Sequence, residues 1–499
     1  MSSQGVQGYE PRTGKAFGDP VPTTSDSGVG EIVGAAARAF PAWSGLASAE
    51  RGAVLERLAD ALDAESEVLI ATADSETALG VPRLTTELKR TTNQLRLFAG
   101  VLAEGSYREA TIDSPDPDII PPRPDLRRIL QPLGVVAVFS ASNFPFAFSV
   151  AGGDTASALA AGCPVVVKAH SAHPQTSRET ARVVASVLPE GVFGIVYGTE
   201  AGRVLVQHPL VKAVGFTGST AGGRALFDLA QGRPEPIPFY GELGSVNPVV
   251  VLPSAAANRS AELATGFAQS LTMGVGQFCT NPGLLFAPSS IVDALAEAVG
   301  GAGGGAMLTE RMRDSYQSTV DSLIAHSSVR LVATGSGPEE GWGVAPRLYQ
   351  VSLEDFVADK EKLTEECFGP AGIVVTYDDP AQLPEVLRGL EGSLTATVHA
   401  DPDDHALAAA VLDEIRRFAG RLVFNGWPTG VAVSWAMHHG GPWPATTSPL
   451  HTSVGATGVR RWLAPVTYQS WPDALLPPEL QNANPLNIPR REDGVLVVP

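Results

Sequence analysis

Apolar residues recur at helical spacing over 51–62, where Val54, Leu55, Leu58, Ala61 and Leu62 share one face. Ser48 stands where an N-cap would start that helix, and a second helix is expected over 87–103. The pattern then breaks. Residues 114–124 read SPDPDIIPPRP, too rich in proline for a helix interior and suited to a protruding strand pair or an exposed linker. Short apolar runs follow at 135–139, 164–167, 194–197, 213–216 and 248–252, separated by segments of helical texture such as 154–161 and 176–188. Strands alternating with helices predict an α/β fold with a parallel sheet and crossover helices. A second alternating region has strand candidates at 329–333, 373–377, 395–399 and 422–425 and a helix over 401–417. It implies a second α/β domain from 245 to 444. From Thr446 onward the chain is irregular and proline-rich, a texture for contacts between domains or subunits. Residues 301–306, GAGGGA, match GxGxxA but follow a helical segment instead of a strand, so a loop is expected there and not a dinucleotide fingerprint.

Composition narrows the class. A chain of 499 residues has room for two or three domains with sizeable cores, and 44% apolar against 18% charged residues is a globular balance. The formal charge of −18 argues against nucleic acid or an anionic membrane surface as the main partner. The most apolar stretch, 133–168, is interrupted by Asn143, Pro145, Asp154 and several glycines, too often for a membrane helix. Met1 to Glu10 is polar and lacks a basic-then-apolar leader. The three cysteines, Cys163, Cys279 and Cys367, are odd in number and lack CxxC spacing. They fit neither a disulfide framework nor a structural zinc site. The expectation is a cytoplasmic protein with reduced thiols.

Four short constellations carry candidate chemistry. Cys279 lies in GQFCT, with Gly274 and Gly276 letting backbone approach a ligand, and a thiolate is a strong nucleophile toward a carbonyl. Glu242 sits in GELG, a carboxylate placed to act as a base. Asn143 follows the 135–139 run in SNFP, and its amide is a neutral donor suited to a developing oxyanion. Thr217, Gly218 and Ser219 stand where a strand enters a helix, a place for phosphate on helix N–H groups. Each of these is more often an ordinary buried or turn residue when met alone. His438-His439 has no further ligands at suitable spacing, so a structural or loop role is expected and no metal site.

Together and in this order, the four motifs resemble those of the aldehyde dehydrogenase superfamily. The resemblance runs over most of the chain and takes in Pro11-Arg12-Thr13-Gly14 and Glu365-Glu366-Cys367-Phe368-Gly369-Pro370. It implies a Rossmann-like cofactor domain (1–111 and 130–244), an α/β catalytic domain (245–444), a small β oligomerisation extension (112–129 and 445–470) and a C-terminal tail (471–499). It also implies site roles. Cys279 would be the nucleophile, Asn143 with the Cys279 backbone N–H the oxyanion holder, and Glu242 the base that activates water for thioester hydrolysis. Members that pass the acyl group to coenzyme A typically lack this base. Lys168 would bond the adenosine ribose, Ser219 the pyrophosphate and Glu366 the nicotinamide ribose, with Phe368 against it. A catalytically silent NADP-binding protein is the contrasting reading, and the joint presence of Cys279, Glu242 and Asn143 speaks against it.

Many NAD-preferring relatives carry an acid three positions after the lysine; here Ser171 stands there. A hydroxyl can donate to a 2′-phosphate that a carboxylate would repel, so NADP is the expected preferred cofactor, with NAD also accepted. The runs at 144–149 (FPFAFS), 151–156 (AGGDTA), 167–173 (VKAHSAH), 425–430 (NGWPTG) and 439–445 (HGGPWPA) look closest to the 2,5-dioxopentanoate dehydrogenases and related NADP-dependent fatty-aldehyde enzymes, as do DALLPP at 473–478 and Asn484-Pro485-Leu486. The implied reaction is 2,5-dioxopentanoate to 2-oxoglutarate. Phe144, Phe148, Phe278 and Trp427 suggest an aromatic tunnel wall, which suits an aliphatic aldehyde as well. A distal carboxylate would call for a cation in the tunnel. Arg90 and Arg96 lie on a helix able to border it, although a solvated or structural role is the ordinary one for arginine. The extension and the apolar stretch 462–476 imply a homodimer or homotetramer.

Overall fold

The computed structural model describes residues 5–499. The five apolar runs expected first are all strands, and four of them build one sheet. Its order is Phe193–Val196, Val165–Lys168, Val135–Phe139, Val211–Thr217 and Phe239–Glu242, all parallel. Every residue of Val135–Phe139 is buried, because helices cover both faces of a parallel sheet and leave no polar side. The chain winds outward from the central strand to Phe193–Val196 and then returns to the central strand's other side. That reversal opens a crevice at the carboxyl ends of the strands. Lys168, Thr217 and Glu242 are each the last residue of their strand, and the register pairs Phe139 with Lys168 and Thr217 with Glu242. Three residues far apart in sequence therefore stand along one edge.

The fifth run, Val249–Val251, belongs to the second sheet. Its order is Arg330–Thr334, Arg347–Ser352, Ala371–Tyr377, Leu284–Pro288, Val249–Val251, Ser393–His399 and Ala419–Phe424, parallel except for the antiparallel first strand. Residues 301–306 form a turn after a helix and a two-residue ladder, Gly305–Ala306, as the loop reading requires.

The extension departs from expectation. Its sheet joins Thr111–Asp113, Leu126–Pro132 and Leu463–Gln469 to Arg490–Glu492 and Val495–Val497. The tail thus supplies two strands, with Arg491 and Glu492 paired to Thr111 and Ile112. Residues 445–462 are not extension strands. They pack beneath the cofactor sheet, where Thr446 bridges to Glu242 and the fully buried Trp462 donates its indole N–H to Ser157 Oγ at 2.8 Å.

Two helix boundaries also differ. Ser48 is the first helical residue of Ser48–Ala64 and not its cap. Ala47 holds the cap position, its N–H given to Glu50 at 3.0 Å, while the Ser48 hydroxyl pairs with the Tyr107 hydroxyl. The second helix begins earlier, at Val81, with Pro82 in its first turn where no N–H is needed, and runs to Glu104. Among the described residues no helix is long and apolar enough to cross a membrane.

Candidate active site

The nucleophile loop is held in a conformation that ordinary residues avoid. Gly274 and Gly276 have φ of 56° and 68°, and between them Val275, β-branched, sits at φ 60°. A β-branched residue there stores strain. A side chain on Gly276 would run into the backbone of Gly369 and Pro370, so this glycine lets the Cys279 loop lie against the loop of Glu366. Two buried amides fix the segment from below. Gln277 accepts the Leu308 N–H at 3.0 Å, and Asn247 gives its amide to the carbonyls of Cys279 (2.8 Å) and Asn281 (2.9 Å).

Glu242 arrives at the end of its strand, fully enclosed. It shares a polar cluster with Cys279 and His439, whose carboxylate oxygen, sulfur and imidazole nitrogen all lie within 4.8 Å of one another. His439 Nε2 is 2.8 Å from Glu242 Oε1 and 3.5 Å from Cys279 Sγ, and the Ser453 hydroxyl donates to the other carboxylate oxygen. His439 Nδ1 is buried without a partner. The imidazole proton is therefore assigned to Nε2, where it is donated to the carboxylate. The expectation of a structural or loop role for His438-His439 is corrected on this point: His439 belongs to the reactive cluster. Chain folding places it there, through its N–H to Thr452 Oγ1 and its carbonyl to the Ser453 N–H. The glycines after it, Gly440 and Gly441, were the available sequence signal, since both sit against backbone that a side chain would strike.

The charges set the resting state. Burial pushes the Cys279 thiol well above its ordinary value, and the neighbouring Glu242 and Glu366 charges push it further. Burial would also raise the Glu242 carboxyl, but His439, Ser453 and Cys279 together hold it below the usual carboxylate value. A protonated thiol thus rests beside an ionised base.

Asn143 is buried and donates from Nδ2 to the Gln277 carbonyl at 2.8 Å, tying the expected oxyanion loop to the nucleophile loop. Its own carbonyl accepts from Arg83 Nη2 at 2.6 Å. Phe144 meets Phe148 and Phe278 edge-on at 5.3 and 5.1 Å between centroids, and Phe148 faces the His439 ring at 6.4 Å. These three rings form one wall. Trp427 does not join it. Its indole turns back onto Phe267 and His399, into space left by the missing side chain of Gly266.

The expected cofactor residues line the crevice. Lys168 is partly exposed at its strand end, and burial of its stem pushes its amine down to about 8. Ser171 is exposed three residues on. Ser219 caps the Thr220–Gln231 helix, accepting the Gly222 N–H at 3.3 Å, with Thr217 and Gly218 just before it. Glu366 accepts the Ser245 N–H at 3.3 Å and occupies space that a side chain on Gly244 would fill. It is open to the solvent of the cleft, yet enclosed enough by the cleft walls that burial pushes its carboxyl up to about 7. Ser245, Phe278, Glu366 and Phe368 line one pocket beside the nucleophile loop. Gly244 thus makes room for the Glu366 carboxylate, an acceptor suited to ribose hydroxyls.

A half-buried thiol beside an ionised base, a sheet-edge crevice and a helix cap at its mouth fit an oxidoreductase of aldehydes with a nicotinamide cofactor. The chain belongs to the aldehyde dehydrogenase family, whose model matches residues 1–445. It is 46% identical to alpha-ketoglutaric semialdehyde dehydrogenase 2 of Azospirillum brasilense, over 98% of this chain and 96% of that one. It is 44% identical to alpha-ketoglutaric semialdehyde dehydrogenase of Acinetobacter baylyi, over 94% and 91%. Among solved structures, a variant of aldehyde dehydrogenase C of Pseudomonas syringae in complex with NAD+ and octanal superposes with a TM-score of 0.80, covering 94% of each chain at 22% identity, a likeness of fold.

Proposed function

We propose that the protein oxidises 2,5-dioxopentanoate to 2-oxoglutarate, with NADP as the preferred cofactor. The observation that carries the chemistry is the Cys279–His439–Glu242 cluster beside the phenylalanine wall. The substrate follows from the activity for which the two relatives above are named.

As Cys279 Sγ bonds to the aldehyde carbon, its proton is lost to solvent and Glu242 stays ionised. Asn143 holds the oxyanion with the Cys279 backbone N–H, each such donor contributing roughly 3–4 kcal/mol to the transition state. Lys168, Ser219 and Glu366 hold the cofactor's ribose and phosphate groups, and when bound its nicotinamide supplies the hydride acceptor. Loss of hydride from the tetrahedral adduct leaves a thioester on Cys279. Glu242 then takes a proton from water as the new oxygen–carbon bond forms, the carbon–sulfur bond breaks to release the acid, and the sulfur regains its proton from Glu242. His439 orients the carboxylate through its Nε2–H in both half-reactions. The exposed apolar residues Val495, Leu496 and Val498 on the last strand and after it, with Ile120 on the proline-rich loop, support self-association of the chain through the extension.

The reading is tested by kcat/KM over a panel of 2,5-dioxopentanoate, succinic semialdehyde, glutaraldehyde and long-chain alkanals. 2,5-Dioxopentanoate should lead. A clear lead for alkanals would overturn the substrate and leave the cysteine chemistry in place, while no burst of reduced cofactor with any aldehyde would restore the silent-protein reading.

Cofactor preference is a separate expectation. With Ser171 and no acid at that position, kcat/KM should favour NADP over NAD, and Ser171→Glu should move the ratio toward NAD by about tenfold, through repulsion of the 2′-phosphate. A strong NAD preference in the unaltered enzyme would defeat it.

A further inference from the structure

Arg90 is half-buried on the inner face of the Val81–Glu104 helix and, among the described residues, is in no ion pair, whereas an enclosed cation ordinarily is. Its guanidinium lies over the Phe148 ring, 5.2 Å from the centroid. Its Nε–H reaches the Val431 carbonyl only at 3.4 Å, and its Nη1 is buried with no hydrogen-bond partner. The nearby carboxylates do not bond to it. Glu87, one turn back on the helix, accepts the N–H groups of Phe146 and Ala147 on Oε1 at 2.8 and 3.0 Å, and its Oε2 is buried without a partner. Glu242 is taken by His439 and Ser453.

The other arginines of the region have work already. Arg83 donates to the Asn143 carbonyl and covers the Phe144 and Phe278 rings at 5.1 and 4.8 Å. Arg421 donates to the carbonyls of Gly430 and Pro428. Arg96 is corrected as a tunnel candidate: it points outward into ion pairs with Asp60 and Asp63. Arg83 Nη1 and Arg421 Nε are also buried without partners, but those guanidiniums are held by bonds of 2.6 and 2.7 Å, whereas Arg90 is held only by its 3.4 Å contact and lies beside the reactive cluster. The ring it covers, Phe148, faces His439, which touches Cys279. The charges of Glu87 and Glu242 act on it, as would that of Cys279 once ionised, against the cost of its burial.

We infer that Arg90 is the anchor for the carboxylate at the far end of the substrate, the residue that selects a short anionic aldehyde over a neutral one. This rests on the reading above that the substrate is an oxo-acid aldehyde. The carboxylate takes the free Nη1 donor, and the phenylalanine wall encloses the carbons between it and the aldehyde. A buried charged donor without a partner is costly; the bound carboxylate supplies that partner, and a neutral aldehyde of equal length leaves it unmet. Discrimination of this kind comes from the polar group left unpaired as much as from the bond formed.

The test compares kcat/KM for 2,5-dioxopentanoate and for pentanal, a neutral aldehyde of the same carbon count, in the unaltered enzyme, Arg90→Met and Arg90→Lys. The ratio of the two, acid over pentanal, should fall at least ~30-fold in Arg90→Met. The loss should lie mainly in KM for the acid. In Arg90→Lys, which keeps the charge but not the planar fork, the ratio should fall by about tenfold. Equal losses on both aldehydes would make Arg90 a support for the cluster and overturn the inference, as would an unchanged ratio. Should Arg90→Met fail to fold, by circular dichroism and NADP binding, the lysine variant alone decides. Absence of any acid-over-pentanal preference in the unaltered enzyme is a failure of the substrate reading, visible before any variant is made.

Discussion

Cys279→Ala should lose steady-state aldehyde oxidation by at least about 10⁴-fold, the scale seen when a covalent nucleophile is removed, while binding NADP as before. No other thiol can take over. Cys163 is fully buried, its sulfur turned to the Trp462 carbonyl at 3.5 Å, and burial pushes it up to about 11. Cys367 follows Glu366 but packs, half-buried, against the core of the catalytic sheet, pushed up to about 12 by burial first and by Glu366 second. The hydroxyl nearest the cluster, that of Ser453, is held by Glu242. The proposed cofactor residues Lys168, Ser219 and Glu366 stand at a strand end, a helix cap and a separate loop, so the affinity for NADP has no reason to follow the sulfur. Fluorescence titration with NADPH and a coupled rate assay measure the two halves. Turnover within tenfold of the unaltered enzyme would remove Cys279 from its role, and loss of NADPH binding would show that the substitution disturbs more than chemistry.

The parts of this site legible in the sequence are those carried by strand ends. Lys168 and Thr217 could be placed because a parallel sheet gathers the carboxyl ends of its strands, and because buried strands read as continuous apolar runs; Glu242 was marked only by its GELG motif, since the short strand Phe239–Glu242 that carries it is broken by Gly241 and gives no apolar run. The strands Leu284–Pro288 and Arg347–Ser352 gave no such reading. The first lies close after the nucleophile loop, and the second mixes arginine and glutamine into its run. His439 was hidden for a different reason. It lies on an irregular loop with no period of 2 or 3.6 to orient it, and only tertiary folding brings it 197 positions back to Glu242. Asn247 was likewise silent, since a buried amide that ties three carbonyls together looks in sequence like any asparagine before a proline. Trp427 misled because aromatic character says nothing of direction. Arg90 and Arg96 sit on one helix and differ only in face, which decides between a buried free donor and a solvent ion pair.

Glu242→Gln should separate the two halves of the reaction. The amide keeps an oxygen to accept the His439 Nε2–H, so the cluster need not collapse, but it can take no proton from water. A burst of reduced cofactor close to one per active site should persist, followed by steady-state turnover reduced by about 10²–10⁴-fold, the range of a lost general base. The thioester should then accumulate on Cys279, visible as an acyl adduct by mass spectrometry. The thiol gives an independent readout. The Glu242 charge is one of the causes that hold the Cys279 thiol above its ordinary value, and the charged form of a thiol is disfavoured by a like charge beside it. Removing that charge lowers the pKa, so the pH profile of iodoacetamide alkylation should move to lower pH in the variant and alkylation near neutrality should be faster. Slower alkylation at every pH, together with a lost burst, would mean that Glu242 is needed first to take the proton of the thiol. Full turnover in the glutamine variant would leave the thioester to another base, and His439 is the one group placed to supply it.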